Sequence, residues 1–380
     1  MNPPKLSFIS TSVGDLVLGH RVNRAADYFS GGIHLMRPGT SDAQVIDRAC
    51  RPITEDAGPP NQIINTVFGN DDFQRDLSSR ELPKGYVDGA CCVIRPKDES
   101  TRVALSNPHI HTFEPVVRAI FEPLGQALNL QNGQVKLTTY GRHSRPAELL
   151  SEYTPHARGL SDSRRGCGGP SPYTATGIMS VLFALNLMAE QQQHRVTLIG
   201  ADGALGRKLQ EQFLMTAFDL AVADINYQEG LSIPPDGFSL LPAERGRFAD
   251  ECLVRGGIII AATSDEILDK SNWHLIPPGS YLILAHDLSL NPSTDQGLVQ
   301  ALQERKVTLI PSQLLMLGYN VVIRLEDLHL KTNADVPFKS DVAGSIVWRA
   351  SQFVSAAVNR LVQEKALTPF EATWHLAGLS

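Results

Sequence analysis

Short apolar runs alternate with polar helical segments through the second half of the chain. The apolar runs are residues 195–199, 220–223, 256–262, 280–285 and 306–311. Residues 256–262 are apolar without interruption, which is typical of a strand buried on both faces of a parallel sheet. Polar helical segments at 264–271 and 293–305 separate these runs. The alternation predicts an open parallel sheet with helices on both faces between about residues 155 and 335.

The first block of the chain mixes helical and strand periodicity. The spacing predicts helices at 42–51 and 111–128 and short strands at 90–94 and 135–139. Pro123 and Gly125 predict a kink or an early stop in the second of these helices. The polar stretch 55–85, rich in Pro and Gly, predicts a long loop near a functional surface.

The C-terminal part is predicted to be helical. Residues 345–364 carry apolar side chains at helical spacing, and Thr368 to Glu371 form a capping box with Pro at the first helical position. The pattern predicts two domains, an N-terminal α/β domain and a Rossmann-like domain with a doubly wound parallel sheet. The predicted limits are 1–155 for the first domain, 156–335 for the second, and 336–380 for helices that brace the cleft.

Composition narrows the class of protein. The 380 residues include 42% hydrophobic and 19% charged residues, which is typical of a globular protein. The net charge is -6, and the sequence shows no basic face or stripe of the kind that binds nucleic acid. It contains no run of about twenty apolar residues, so no membrane-spanning helix is predicted. The five cysteines have no metal-ligand spacing, and the odd count argues against a disulfide framework. Together with an N-terminus that lacks signal-peptide character, this predicts a cytoplasmic protein without a metal centre.

A glycine-punctuated turn follows the first strand of the second half. Gly200, Gly203 and Gly206 lie between the strand 195–199 and a helix, and Asp224 ends the next strand. Glycines let a backbone approach a pyrophosphate, and the following helix N-terminus offers free N–H groups to it. An acid at the end of the second strand can accept hydrogen bonds from the adenosine ribose. The order therefore predicts a dinucleotide-binding βαβ unit; the alternative is an α/β fold whose glycines serve only strand–helix packing.

Several segments resemble the glutamate/leucine/phenylalanine/valine dehydrogenases, the NAD(P)-dependent amino-acid dehydrogenases. The matching segments are 169–177 (GPSPYTATG), the strand and turn 196–206, 222–226 (VADIN), 307–318 (VTLIPSQLLMLG) and, in the first block, Gly31-Gly32-Ile33. The likeness is strong in the coenzyme half and weaker before residue 160. It implies an α/β fold in which residues 1–155 form a substrate and oligomerisation domain and residues 156–335 form a coenzyme domain. It also implies a homo-oligomer, with a dimer as the expected form, and a small-molecule substrate.

The resemblance also implies which residues bind the coenzyme. Thr174 is expected near the nicotinamide carboxamide, and an acid at position 224 favours NAD over NADP because it repels a 2′-phosphate. In this turn Ala201 stands where the family has its first glycine. Asp202 follows it, and its side chain is expected to point to solvent because it would repel a pyrophosphate. The full expected set is Thr174, Gly200, Ala201, Gly203, Ala204, Leu205, Gly206, Asp224, Ile225, Ala262 and Thr263.

The polar groups that carry the chemistry of the family are missing together. The family uses a lysine of depressed pKa as its activating group, a second lysine for the substrate carboxylate, and an aspartate for proton transfer. Here Ala90 or Cys91 stands in place of the first lysine. The segment that holds the second lysine in the family is best matched by residues 54–57 (TEDA), which carry acidic side chains instead. Lys84 and Lys97 remain alternatives for these roles. The departures predict a changed substrate or a changed reaction on a retained dinucleotide scaffold.

Replacement groups are expected near the end of the strand 135–139. Tyr140, His143 and Asp88 are candidate catalytic residues, and the candidate substrate-binding residues are Gly31, Gly32, Arg142 and Arg145. Histidine can transfer protons near neutral pH, and arginine can hold a carboxylate with two hydrogen bonds. A solvated polar loop is the alternative for residues 140–145, and His286-Asp287 is an alternative contact on the nicotinamide side.

Three hypotheses of function follow. The first is an NAD-dependent oxidoreductase for a non-standard amino, imino or keto acid derivative in a specialised biosynthetic pathway. The second is a lyase or cyclase that uses tightly bound NAD as a transient oxidant. The third is a non-catalytic dinucleotide-binding protein on the same scaffold. Loss of the lysines favours the third hypothesis, whereas the segment around Thr174 and the acid Asp224 favour the first two.

Overall fold

The computed structural model describes most of the chain as two compact units. It describes residues 3–22, 25–51, 53, 58–76, 82–83, 85–107, 110–138, 145–185, 195–216, 218–244, 246–263, 271–285, 296–333 and 335–378. Unit 1 comprises Met1–Pro170 and Asn320–Ile346, and unit 2 comprises Ser171–Tyr319 and Val347–Ser380. The domain limits expected at residues 155 and 335, and the bracing role expected of 336–380, stay predictions.

Unit 1 contains a mixed sheet with the strand order β1-β2-β4-β3-β5-β6. Its strands are β1 Lys5–Ser10, β2 Gly14–His20, β3 Tyr28–Leu35, β4 Val87–Pro96, β5 Val135–Thr138 and β6 Ala157–Arg158. Its helices are α1 Asp42–Arg51, α2 Gly58–Phe68, α3 Asp71–Asp76, α4 Glu99–Ser106, α5 Phe113–Leu130 and α6 Arg145–Ser151. Strands β3 to β6 are parallel neighbours, whereas β1 and β2 form an antiparallel hairpin that continues onto β4.

The two faces of this sheet are covered by different helices. Val45 and Ala49 of α1 pack with Cys91 and Val93 of β4 on one face. Helix α5 packs on the other face, where alternate residues of β4 and β5 meet it. The alternation of side chains along β4 therefore buries both of its faces, which explains the apolar run that the sequence shows there.

The loop predicted for 55–85 is wrong, because this stretch contains α2 and α3. A proline is tolerated in the first helical turn, where its missing N–H has no intrahelical partner, and Pro60 lies in the first turn of α2. Ile63, Ile64 and Val67 of the same helix are buried. The early stop expected in the helix 111–128 is also wrong, since α5 continues through Pro123 to Leu130.

Unit 2 contains a parallel sheet with the order β12-β11-β10-β7-β8-β9. Its strands are β7 Arg195–Ile199, β8 Asp219–Ala223, β9 Ser239–Leu240, β10 Ile258–Ala261, β11 Tyr281–Leu284 and β12 Thr308–Ile310. The chain passes from β7 to β8 on one side and later returns to β10 on the other side of β7. This reversal of strand order defines a doubly wound sheet, so the fold class predicted from the sequence is confirmed.

The helices of the second half of the chain separate and follow these strands, except that residues 320–346 belong to unit 1. They are α7 Ser171–Ala184, α8 Ala204–Phe213, α9 Ile225–Gln228, α10 Asp250–Val254, α11 Gln296–Glu304, α12 Ser312–Leu315, α13 Leu317–Thr332, α14 Ser340–Lys365 and α15 Pro369–Leu376. The capping box is present, because Thr368 accepts the N–H of Glu371 and the Glu371 carboxylate accepts the N–H of Thr368. The helix expected at 264–271 lies outside the described residues, Ser271 excepted. None of the helices that the structure describes is long and apolar enough to cross a membrane.

Candidate dinucleotide site

The glycine turn after β7 has a backbone that requires glycine at two positions. Gly200 has a φ of +79°, and a Cβ there would lie 2.6 Å from the carbonyl oxygen of Ala262, just after β10. A Cβ on Gly206 would collide with the carbonyl oxygens of Gly200 and Ala201. The turn therefore packs directly on β10 and on the first turn of α8, and it leaves the backbone open where side chains would otherwise stand.

The N-terminus of α8 faces this turn without a side-chain cap. Gly203 is the N-cap residue and makes no side-chain hydrogen bond to the free N–H groups of the first turn. Ala204, Leu205 and Gly206 form that first turn. A helix begins with N–H groups that have no partner within the helix and with the positive end of its dipole, which together attract an anion.

Asp202 does not point to solvent as predicted, because it is only 1% exposed. Nε and Nη2 of Arg207 donate to its Oδ1 at 3.1 and 2.5 Å, and Nδ2 of Asn226 donates to its Oδ2 at 2.7 Å. These partners turn the carboxylate into the protein and balance its charge. The like-charge repulsion expected between Asp202 and a pyrophosphate is reduced accordingly.

Asp224 holds the turn and begins the next helix. Its Oδ2 accepts the N–H of Asp202 at 2.8 Å, and its Oδ1 accepts the N–H of Asn226 at 2.9 Å as the N-cap of α9. Each carboxylate oxygen has a second lone pair for another donor. The residue is 9% exposed, so part of its surface remains accessible.

A cavity opens at the carboxyl ends of β7, β8 and β10. Open α/β sheets bind ligands at this edge, where the strand order reverses. Four residues that are candidates for coenzyme contact, Gly200, Asp224, Ile225 and Thr263, line the cavity, and their role in binding stays a prediction. The other lining residues are Ile199, Ala223, Pro242, Ala243, Glu244, Arg247, Ala249 and Cys252. Ala201 is fully buried below the turn, and Thr174 is a buried residue of α7 that does not line this cavity.

The turn and the cavity fit the adenosine and pyrophosphate part of a dinucleotide. The glycine backbone leaves room that a Cβ would fill, the helix N-terminus favours a phosphate, and an acid borders the cavity. When bound, a nicotinamide coenzyme supplies a hydride acceptor or donor. Groups of three or more His, Cys, Asp or Glu side chains that could hold a metal ion are absent from the described part of the chain.

The substrate residues predicted in the first block have structural partners in unit 1. Gly31 and Gly32 lie within β3, and a Cβ on Gly31 would run into the backbone of Ala90 in β4. Asp88 of β4 is fully buried, accepts the N–H of Gly89 at 2.8 Å and lies 3.5 Å from a guanidinium nitrogen of Arg21. Close packing of β3 on β4 therefore explains Gly31, while the roles of Gly32 and Asp88 stay predictions.

The predicted catalytic cluster is only partly described. Arg145 begins α6, where its guanidinium binds the carboxylates of Glu114 and Glu148. It is therefore already paired with two acids. Tyr140, Arg142 and His143 lie outside the described residues, as do Lys84 and His286-Asp287.

The strand that matches the lysine segment of the family is buried. Ala90 and Cys91 are both 0% exposed within β4, so neither side chain reaches solvent. Lys97, the described alternative, follows the end of β4 and borders an open surface pocket with Arg95.

Sequence reasoning missed a buried charge cluster in unit 1. Asp327 of α13 accepts a hydrogen bond from Lys136 of β5 at 2.5 Å and others from Arg158 of β6, and it pairs with Lys331 at 2.9 Å. The Lys136 ammonium lies 3.8 Å from the ring centroid of Tyr28. A lysine between Val135 and Leu137 in an otherwise apolar strand was the available signal, because a buried cation needs a partner.

The environment of this cluster shifts two pKa values. Burial lowers the pKa of Lys136 to about 7, although the Asp327 carboxylate opposes that shift. Burial alone would raise the pKa of Asp327, but Arg158 and Lys136 together bring it well below its usual range. The cluster therefore holds an ionised carboxylate among cations inside unit 1.

Two further side chains fasten α13 within unit 1. Arg324 is 1% exposed and donates to Asn61 and Asn65 of α2 at 2.8–2.9 Å. Glu326 is fully buried and accepts the backbone N–H groups of Gly159 and Leu160 at 2.7 and 2.9 Å. Burial raises the pKa of Glu326, whereas these N–H groups oppose that shift. Three charged residues of α13, Arg324, Glu326 and Asp327, thus bind partners inside unit 1.

Comparison with known proteins identifies solved structures of the same fold. No family model matches the chain, and no curated protein sequence matches it. L-tryptophan dehydrogenase from Nostoc punctiforme is 14% identical, with a TM-score of 0.60, over 98% of this chain and 95% of that one. The leucine-bound hetero-hexameric glutamate dehydrogenase from Thermus thermophilus is 15% identical, with a TM-score of 0.70, over 99% and 87%.

A third structure extends the same likeness. Glutamate dehydrogenase 2 from Plasmodium falciparum is 10% identical, with a TM-score of 0.66, over 100% of this chain and 84% of that one. Identities this low establish a shared fold and leave substrate and activity open. The predicted resemblance to the amino-acid dehydrogenases is thus confirmed, as a divergent likeness that extends over the fold of both units.

Proposed function

We propose that this protein is an NAD(H)-dependent oxidoreductase that acts on a non-standard amino, imino or keto acid derivative. The observation that carries the proposal is the glycine turn joined to the cavity bordered by Asp224, in a fold shared with tryptophan and glutamate dehydrogenases. The N–H groups at the start of α8 bind the pyrophosphate, and Asp224 accepts ribose hydroxyl groups. The Asp224 carboxylate repels a 2′-phosphate, which favours NAD(H) over NADP(H).

The substrate part of the proposal rests on the first block. Buried alanine and cysteine at positions 90 and 91 offer no ammonium group to polarise a carbonyl. Arg142 and Arg145 are proposed to hold the substrate carboxylate, and Tyr140, His143 or Asp88 to transfer the proton. Arg145 must exchange an acidic partner for the substrate in this scheme, since Glu114 and Glu148 bind it here.

The wider setting forms part of the same proposal. None of the five cysteines, all of which lie in the described part of the chain, forms a disulfide, and a cytoplasmic location remains part of the proposal. Assembly as a homo-oligomer, with a dimer as the expected form, is also proposed, and the hetero-hexameric assembly named for the glutamate dehydrogenase from Thermus thermophilus supports only that proteins of this fold assemble. Light scattering of the purified protein measures that assembly directly.

Titration with NADH and NADPH, followed by a screen of amino, imino and keto acids, tests the function. We expect NADH to bind more tightly, and we expect negligible oxidation of glutamate, leucine, phenylalanine or valine. An ordinary rate with one of these four amino acids would show that a lysine such as Lys84 or Lys97 does occupy the catalytic position. The absence of dinucleotide binding would refute the proposal.

A non-catalytic dinucleotide-binding protein is the second candidate. The buried, lysine-free segment around Ala90 and Cys91 and the acid-paired Arg145 favour it. A lyase or cyclase that uses bound NAD would instead turn over substrate without net change in NADH. Tight NADH binding with no product from any substrate in the screen would select the non-catalytic candidate.

A further inference from the structure

An aspartate in a phosphate-binding turn requires compensation. Asp202 lies between Gly200 and Gly203, in the turn proposed to receive a pyrophosphate, and it is 1% exposed. A buried carboxylate beside an anionic ligand weakens binding unless a cation lies close to both. The residue that meets this need is on the helix that follows the turn.

Arg207 is the fourth residue of α8, in the first turn of that helix. Its Nε donates to the backbone oxygen and to Oδ1 of Asp202, both at 3.1 Å, and its Nη2 donates to the same Oδ1 at 2.5 Å. The Arg207 side chain remains 55% exposed, whereas that of Asp202 is 2% exposed. Among the described residues, no acceptor binds the Nη1 group of Arg207. Asp202 therefore fixes the edge of the guanidinium that carries Nε and Nη2, and the edge that carries Nη1 is accessible.

Asn226 locates this pair on the adenosine side of the turn. Its amide donates to the second oxygen of Asp202 at 2.7 Å, and its backbone N–H donates to Asp224, which borders the cavity. Asp202 is thus bound from α8 on one side and from the end of β8 on the other. The planar guanidinium of Arg207 therefore has a fixed orientation before a ligand binds, which lowers the entropy cost of binding.

We infer that Arg207 binds a phosphate group of the adenosine half of the coenzyme, with Asp202 as the residue that positions it. The inference rests on the proposed function, because it assumes a dinucleotide at this turn. A planar guanidinium can bind phosphate with two hydrogen bonds while another edge keeps its carboxylate partner. The phosphate is either the pyrophosphate, which NADH and NADPH share, or the 2′-phosphate of NADPH.

Replacement of Arg207 by Gln tests the assignment, with Lys208→Gln as the matched control. Lys208 is the next residue of α8, carries the same charge and pairs with the exposed Glu211 at 2.8 Å. Dissociation constants for NADH, NADPH and ADP are measured by calorimetry on the full-length protein. We expect R207Q to weaken binding by about tenfold or more and K208Q to change it by less than about twofold. Arg207→Lys should restore only part of the loss, because an ammonium lacks the fork.

The same substitution in an Asp202→Asn background separates binding from mere neutralisation of Asp202. A direct phosphate contact predicts that R207Q still weakens NADH binding when residue 202 carries no charge. An equal loss for NADH and NADPH identifies the pyrophosphate, and a larger loss for NADPH identifies the 2′-phosphate. Unchanged affinity of the D202N/R207Q protein relative to D202N, while wild type binds NADH, would overturn the inference alone. Failure of wild type to bind any dinucleotide would overturn the proposed function with it.

Discussion

Replacement of Asp224 by Ala should remove two roles of this carboxylate at once. One role is internal, since its two oxygens accept the backbone N–H groups of Asp202 and Asn226. The other is the proposed acceptance of ribose hydroxyl groups from the cavity that it borders. A variant that loses both roles should bind coenzyme more weakly and also be less stable.

The magnitudes follow from these contacts. Loss of a charged hydrogen bond to the ribose costs about 1–3 kcal/mol, which raises the dissociation constant of NADH by about five- to 150-fold. Loss of the N-cap of α9 costs about 0.5–2 kcal/mol of stability. The N–H of Asp202, left buried without its acceptor, adds about 1–3 kcal/mol. Asp224→Asn should lose less stability than Asp224→Ala, because asparagine is also a good N-cap residue, but its single carbonyl oxygen cannot accept both N–H groups.

Calorimetric titration and urea denaturation of D224A, D224N and Asp219→Ala measure these effects. Asp219 begins the same strand, and its carboxylate is 59% exposed and paired with Arg255, so its loss should leave NADH affinity unchanged. We expect D224A to lose both affinity and stability, and D224N to lose chiefly the preference for NADH over NADPH. Equal affinities of wild type for NADH and NADPH, or unchanged binding by D224A, would refute the ribose assignment.

Three further predictions concern buried charge and backbone strain. Asp327→Asn should lower the free energy of unfolding by about 3–5 kcal/mol, because it leaves buried cations without their carboxylate. Urea denaturation measures this loss, and Asp335→Asn, at an exposed aspartate, is the control. A loss for Asp327→Asn no greater than that of the control would contradict the prediction. Burial lowers the pKa of Lys136 to about 7. Between that pH and about 10.5 the unfolded chain binds a proton that the folded chain does not, so this group makes stability rise with pH. Lys136→Met should therefore flatten the plot of unfolding free energy against pH. Identical plots for wild type and variant would argue against the lowered pKa. Gly200→Ala should lower the melting temperature and NADH affinity, because its φ is +79° and its Cβ would meet a carbonyl oxygen at 2.6 Å. Gly230→Ala, with a φ of +69° but open space around it, should cost less, and an equal effect of the two would show that backbone conformation alone matters.

Hydrophobic periodicity and turn-forming glycines predicted many of the helices and strands of both units, because each of these signals is local in the sequence. The strand 195–199 and the helix 42–51 have the limits that the sequence predicted, and the capping box at Thr368 begins the last helix. Glycines in the turn after β7 mark close backbone approaches, which depend on neighbours a few residues away and on one strand, β10.

The errors come from interactions that the local pattern does not carry. Asp202 was expected in solvent, but its partner Arg207 lies five residues further along and Asn226 lies on another strand end. The two prolines in the first turn of α2 are typical of a loop, although the apolar side chains that follow them pack as a helix. The Lys136–Asp327 pair joins residues 191 positions apart, so no window of sequence could have shown it.

The location of Asp327 and Glu326 also constrains the order in which the chain can fold. Unit 1 needs residues on both sides of unit 2 in sequence, since α13 supplies the carboxylates that Lys136, Arg158 and the N–H groups of Gly159 and Leu160 require. During synthesis, the ribosome completes the whole of residues 171–319 before these acids emerge. The first 170 residues must therefore wait with unpaired cations and unsatisfied amides until α13 emerges, and unit 2, whose core includes Phe370 and Trp374, is complete only after unit 1.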